Sequence, residues 1–327
     1  MGEDSSSDSL VGGTIFVRSR NLEQTVGPIK LFLKFEGGNP TGTQKDRATF
    51  DIVQRAVKLG YRDIAAGTCG NLGASIVYFS AKMGLKPHIF IPYQYHTRRM
   101  EEIRGYNGII HKVDGTYEDA VYTCSEVAEA RGWYNASPNM KENSEVSISA
   151  YAKISEEIYS SLGFAPDVVS VPVGNGTTLS GIHHGFKLLL KKGEIDKLPI
   201  LIASSTSRGN PIIKSFKEGS HVLKDLRPED VGETEINEPL VSWHAFDGQT
   251  ALDALYETNG YAAYASDTKM KEYARLLLME EGLSVQPASA SSLVALSQYV
   301  KEVDSPETYV AILTGRQPYH LKGRTHR

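Results

Sequence analysis

The sequence predicts an α/β protein built from two open parallel-sheet lobes with helices on both faces. From Tyr61 onward, short apolar runs alternate with longer amphipathic stretches, the order that lays helices over a parallel sheet. The run Asp167-Val168-Val169-Ser170-Val171-Pro172-Val173 has the near-continuous β-branched content of a strand buried on both faces. A length of 327 residues exceeds one small core and suits two lobes with a cleft between them.

Taken in chain order, residues 14–17 and 31–36 read as strands that return to the sheet of the second lobe. Next comes the run Gly38-Asn39-Pro40-Thr41-Gly42-Thr43-Gln44-Lys45-Asp46-Arg47, whose Asn-Pro-x-Gly turn delivers a lysine to the start of a helix. Strands follow at 63–66, 87–91, 108–111 and 133–135, separated by helices at 72–83, 97–104 and 116–131. This gives a four-stranded first lobe. A polar helical stretch over 144–162 leads to the strand at 167–173, which opens the second lobe. Strands at 199–203 and 309–313 and helices at 179–191, 268–281 and 290–300 complete it. Residues 219–260, rich in Gly, Pro, Asp and Glu, read as mostly irregular with one helix over 250–258. The expected organisation is a disordered tail over 1–9, a large domain from 10–46 and 141–327, and a small domain over 47–140. No internal sequence repeat is evident.

The net charge is −4, and no basic stripe interleaved with aromatics occurs, which argues against nucleic acid as a partner. Basic residues cluster at 322–327. Cys69 and Cys124 are the two cysteines, and such scarcity suits free thiols in a reducing compartment. The acidic, serine-rich start has no apolar signal region, and no run approaches the roughly 20 apolar residues of a membrane span. A cytoplasmic protein without membrane association is expected.

Four motifs carry chemistry. Lys45 sits at the positive end of a helix, which disfavours the ammonium form and helps the amine act as a nucleophile. The run Val173-Gly174-Asn175-Gly176-Thr177-Thr178 links a strand to a helix start and points backbone N–H groups at an anion, with phosphate the natural guest. Leu179 stands where a dinucleotide fold needs its third glycine, and no Gly-Lys-Ser/Thr of a P-loop follows. The loop Gly67-Thr68-Cys69-Gly70-Asn71-Leu72-Gly73 also opens a helix after a strand, so that Thr68, Cys69, Gly70 and their N–H groups suit a carboxylate and Asn71 offers an amide. Cys69 has no histidine at a sequence-evident partner position, so a small packed side chain is its expected role. Thr314 ends a strand at the sheet's carboxyl edge, where open α/β proteins bind ligands. His183 and His184 diverge by about 100° on their helix and share no metal face; no metal site is expected.

Together these motifs resemble the fold-type II pyridoxal-phosphate enzymes, the tryptophan synthase β-like family, and within it most closely the threonine synthases. The similarity is collinear from about Leu31 to Gly315. It implies pyridoxal 5'-phosphate in the interlobe cleft, bound as an imine to Lys45. It further implies that Asn71 meets the ring oxygen, that Gly174, Asn175, Gly176, Thr177 and Thr178 cradle the phosphate, and that Thr314 faces the pyridine nitrogen. A neutral hydroxyl at that nitrogen weakens the electron sink relative to an aspartate and suits elimination and replacement over amino transfer. The runs Asn237-Glu238-Pro239-Leu240-Val241-Ser242-Trp243 and Gln286-Pro287-Ala288-Ser289-Ala290-Ser291 also look like threonine synthase.

The implied activity is a lyase reaction converting O-phosphohomoserine and water to threonine and phosphate, in a homodimer. Departures fall where substrate is recognised. Where threonine synthases commonly carry Asn-Ser-x-Asn-Pro-x-Arg, this chain has Asn135-Ala136-Ser137-Pro138-Asn139-Met140-Lys141. Asn135, Ser137 and Lys141 are the residues available there for substrate, and a lysine lacks the bidentate grip of arginine. The family's usual Glu in Glu-Pro-Ala-Ser is Gln286, and Thr43-Gln44 replaces the common Ser-Phe. A second reading therefore stands beside the first: β-elimination or β-replacement on a serine-derived amino acid, of dehydratase, cysteine synthase or cysteate synthase type. A third is a catalytically silent cofactor-binding subunit.

Overall fold

Two separate sheets divide the chain in the computed structural model, which describes residues 10–27, 29–68, 70–94, 99–303 and 308–318. The expected tail at 1–9, Cys69, residues 97–98 of an expected helix and the basic stretch at 322–327 lie outside the described residues. The larger sheet contains β1 (Ile15–Arg18), β2 (Lys30–Phe35), β7 (Val168–Pro172), β8 (Ile200–Thr206), β9 (Tyr261–Ala265) and β10 (Thr308–Leu313), ordered β1-β2-β10-β7-β8-β9. β1 pairs antiparallel with β2, and the other pairings are parallel. The smaller sheet has β3 (Asp63–Gly67), β4 (Lys86–Pro92), β5 (Ile109–Val113) and β6 (Tyr134–Asn135), ordered β5-β4-β3-β6 and wholly parallel.

All six residues of β10 and all five of β7 are buried. Tyr309, Ala311 and Leu313 face one apolar cluster, and Val310 and Ile312 face another on the opposite side of the sheet. This two-sided burial explains why both strands are legible from composition; each buried Val, Leu or Ile contributes roughly 1.5–3 kcal/mol.

The helices are α1 (Arg20–Val26), α2 (Lys45–Lys58), α3 (Asn71–Met83), α4 (Met100–Gly105), α5 (Tyr117–Arg131), α6 (Lys141–Leu162), α7 (Thr177–Lys191), α8 (Pro211–Lys217), α9 (Gly248–Glu257), α10 (Asp267–Glu281) and α11 (Ser291–Glu302). Thr116 is the cap of α5, not its first residue, and forms a capping box with Asp119. α6 and α7 lie backbone to side chain because α7 presents glycine. A Cβ at Gly181 would come 2.4 Å from the Tyr151 Cβ, and one at Gly185 would come 2.4 Å from the Ala152 carbonyl oxygen.

The sequence reading assigns no element to α1, α8 or β9. β9 reads Tyr-Ala-Ala-Tyr-Ala, too poor in β-branched residues to announce a strand; pairing with β8 makes it one. The 219–260 segment is largely irregular before α9, as its composition implies. Among the described residues no helix is long and apolar enough to cross a membrane.

Beneath the start of α2 lies a buried ion network. Arg47, 2% exposed, donates to both Glu36 oxygens (2.6 and 2.9 Å) and both Glu157 oxygens (2.6 and 2.8 Å). Lys34 adds a 2.5 Å bond to Glu157 and one of 2.9 Å to the Thr14 carbonyl. The network ties β2, α2 and α6 together within two residues of Lys45.

Candidate functional site

Lys45 is the first residue of α2, and the turn before it is stitched to the end of β10. Gln44 N–H donates to the Thr314 carbonyl (2.9 Å), and Thr43 bridges to Gly315. The buried carboxylate of Asp46 accepts from the N–H and hydroxyl of Thr41, each at 2.6 Å, and from Ser75 at 2.5 Å. Burial pushes the Asp46 carboxyl up, and the Ser75 and Thr41 bonds pull it back. Arg99 donates to the Thr41 carbonyl (2.9 and 2.6 Å) and pins the turn from the far side. The consequence is a fixed base for Lys45, whose Nζ stands 6.0 Å from the ring centre of the buried Tyr151 on α6.

The glycine turn between β7 and α7 forms one wall of the same cavity, which Gly174, Asn175, Gly176, Thr177 and Thr178 line along with Lys45. Gly176 caps α7 at φ +93°, a conformation glycine adopts without Cβ strain. The turn is packed too closely for side chains: a Cβ at Gly174 would sit 2.7 Å from the Pro239 carbonyl oxygen, and one at Gly176 would sit 2.8 Å from the Ala251 Cβ. Asn175 donates to the Tyr117 hydroxyl at 3.0 Å, and its Oδ1 is buried without a partner among the described residues.

Thr68 lines the cavity, and its hydroxyl accepts from the N–H groups of Gly70 (3.0 Å) and Gly73 (3.2 Å), shaping the loop that opens α3. Asn71 begins α3 and exchanges two side-chain hydrogen bonds with Gln286. Thr314 stands just past β10, its hydroxyl 2.9 Å from that of Ser289, which also accepts from Gly315 N–H at 2.9 Å.

The cavity therefore brings together Lys45, Thr68, Asn71, the cradle and Thr314. Asn135 and Ser137 sit behind Ala136 and Pro138, which line it. Asn135 accepts from Ser137 N–H and donates to Ser125, each at 2.9 Å, while Ser137 accepts from Gly67 N–H at 3.0 Å. Lys141, at the start of α6, is 86% exposed and 3.9 Å from Glu145. Cys124, the other cysteine, is buried, which pushes its thiol up to about 12.

Cavity residues missing from the sequence reading include Tyr117, Tyr151 and Asp247. Tyr151 and Tyr117 look like ordinary helix positions. Asp247 lies in the least legible segment, just before α9, a position where an aspartate ordinarily caps its helix. Instead its carboxylate makes no capping bond and accepts from the hydroxyls of Thr177 and Ser144. Burial pushes this carboxyl up to about 6, against the Thr177 hydrogen bond and the charge of Lys45.

Pyridoxal 5'-phosphate requires an amine, a phosphate cradle and a polar partner at its ring nitrogen. The cavity supplies candidates for all three within one cleft, with a buried orphan acceptor on Asn175 and a glycine turn packed too closely for a Cβ at Gly174 or Gly176. The residues present fit the cofactor.

Comparison with known proteins agrees. Residues 8–315 match the family described as pyridoxal-phosphate dependent enzyme. The chain is 32% identical to threonine synthase of Methanocaldococcus jannaschii over 308 residues, covering 93% of this chain and 74% of that one. It is 28% identical to threonine synthase of Methanosarcina acetivorans over 311 residues, with the same coverage. In fold it is similar to a fungal L-serine ammonia-lyase from Rhizomucor miehei (TM-score 0.79, 19% identity, covering 94% of this chain and 95% of that one). It is likewise similar to maize serine racemase (TM-score 0.78, 19% identity, covering 94% and 88%). The chain belongs to the pyridoxal-phosphate-dependent enzymes of fold type II, in their threonine synthase-like group, and its cofactor is pyridoxal 5'-phosphate.

Proposed function

We propose that the chain is a threonine synthase, converting O-phosphohomoserine and water to threonine and inorganic phosphate. The observation that carries this reading is the convergence of Lys45, the cradle and a neutral hydroxyl at Thr314, in a chain 32% identical to a threonine synthase across 93% of its length.

Lys45 would hold the cofactor through its amine, and its freed amine would be the base that removes the Cα proton and then a Cβ proton. The bound cofactor supplies an electron sink for the bond broken at Cα. Phosphate leaves Cγ with the C–O bond electrons, and water then adds its hydroxyl at Cβ, with protons returned to the carbon skeleton. The loop from Thr68 to Gly70 faces the substrate carboxylate; the Thr68 hydroxyl, which already accepts from the Gly70 and Gly73 N–H groups, has its own proton to donate to it. The hydroxyl of Thr314, kept in place by Ser289, would be a neutral partner for the ring nitrogen, which suits elimination and addition.

One observation favours a second reading. Ala136 and Pro138 line the cavity while the Lys141 side chain lies 86% exposed, leaving the small-lobe wall, among the described residues, short of cationic partners for a substrate phosphate. That wall would suit a serine-derived amino acid undergoing β-elimination or β-replacement. The deciding experiment supplies purified protein with O-phosphohomoserine, and separately with serine and O-acetylserine. Released phosphate with threonine supports the first reading. Pyruvate, ammonia or acetate release without phosphate turnover replaces it with the second. A cofactor spectrum that responds to none of these substrates, with no product, makes the chain a silent subunit.

A further inference from the structure

Asp247 is an anion built into an anion site. It is 7% exposed, its backbone N–H donates to the Asn175 carbonyl at 3.2 Å, and its carboxylate accepts hydrogen bonds from the hydroxyls of Thr177 and Ser144. As the residue preceding α9 it would ordinarily cap its own helix, yet it turns to the cradle. A threonine hydroxyl has one proton to donate, so Thr177 serves either this carboxylate or a phosphate. Two anions sharing a buried cradle repel one another, and one is neutralised most readily by protonation. The titratable groups that face Asp247 are Lys45 from α2, whose charge favours the carboxylate, and Tyr151 from α6; α6 and α7 otherwise present the hydroxyls of Ser144 and Thr177.

We propose that Asp247 holds the cradle hydroxyls as an internal substitute for the cofactor's phosphate and yields them by taking up a proton when the phosphate binds. The solvent supplies the proton, Thr177 then donates to a phosphate oxygen, and no covalent bond changes. Cofactor loading is thereby coupled to pH through a residue outside the expected phosphate-binding motif. A carboxyl already raised to about 6 by burial needs little further perturbation to stay neutral beside phosphate. The inference rests on the cofactor and not on the identity of the amino-acid substrate.

The test uses the full-length chain freed of cofactor, titrated with phosphorylated pyridoxine, which carries the phosphate but no aldehyde to react with Lys45. Affinities of wild type and Asp247→Asn are compared from about pH 5.5 to about pH 8.5. The ester's own ionisation is common to both proteins and cancels in their ratio. The expected result is that the variant's advantage is small at the acid end and grows with pH, by up to about tenfold per unit, the limit for one linked proton. A ratio that does not change with pH overturns the proposal. So does equal growth with unphosphorylated pyridoxine, which would make Asp247 a partner of Lys45 or the ring. Should the amide variant fail to fold, calorimetry of the wild type in buffers of different ionisation heat reads the same event. Uptake of about one proton per ester bound above the ester's own pKa of about 6 supports the proposal, and uptake of none overturns it.

Discussion

Asn71 and Gln286 exchange two side-chain hydrogen bonds of 3.1 Å each across 215 residues of chain, joining the first turn of α3 beside the smaller sheet to the segment before α11. A cyclic amide pair satisfies one donor and one acceptor on each partner. The second N–H of the Asn71 amide is left for the ring oxygen of the cofactor, its direction set by the pair with Gln286. Residue 286 thereby bears on both cleft closure and cofactor contact. Two such bonds are worth about 1–2 kcal/mol together. A double-mutant cycle over Asn71→Ala and Gln286→Ala, read by denaturant unfolding of the cofactor-free protein, should return a coupling of that size; additive losses would refute the pairing.

Lys45→Ala should abolish turnover and the visible absorption of the lysine-bound cofactor while leaving the far-ultraviolet circular dichroism unchanged. The side chain lines the cavity, with its ammonium 6.0 Å from the Tyr151 ring centre, so its loss alters the cleft and leaves the backbone of α2 in place. Retained covalent attachment in this variant would assign the amine to another lysine.

Thr314→Val keeps the shape of the strand end but removes the hydroxyl that meets Ser289 at 2.9 Å. One neutral hydrogen bond of about 1 kcal/mol corresponds to roughly a five-fold weakening of cofactor affinity, measurable by spectroscopic titration. An unchanged affinity and spectrum would exclude Thr314 from contact with the ring.

Glu157 sets an acid limit on stability. Burial alone would raise its carboxyl, but the hydrogen bonds and charges of Arg47 and Lys34 outweigh that and hold it at about 2. A carboxyl depressed in the folded state stabilises fully above its ordinary value of 4.5 and loses that contribution as pH falls toward about 2. The amount is about 3 kcal/mol. Denaturant unfolding of wild type and Glu157→Gln should show a stability gap that is constant at neutral pH and narrows below about pH 4.5. A gap that ignores pH would mean that the Arg47 network does not depend on the charge of Glu157.

The features determined by sequence alone are those whose cause is local. The Asn39-Pro40 turn before Lys45, the glycine turn of the cradle, the Val-rich β7 and the apolar β10 each follow from the conformational preferences and hydrophobicity of adjacent residues, and each was legible without coordinates. The start of α8 at Asn210-Pro211, a side-chain cap followed by proline, was equally local and was missed. The alanine-rich β9 carries little propensity of its own and becomes a strand by pairing with β8. Asp247 meets Thr177 across 70 residues and Ser144 across 103, and Gln286 meets Asn71 across 215. Such contacts arise where separate elements pack, and their chemistry depends on burial: the Asp247 carboxyl is raised because folding removes it from water. Only the tertiary structure decided which carboxylate would share the cradle.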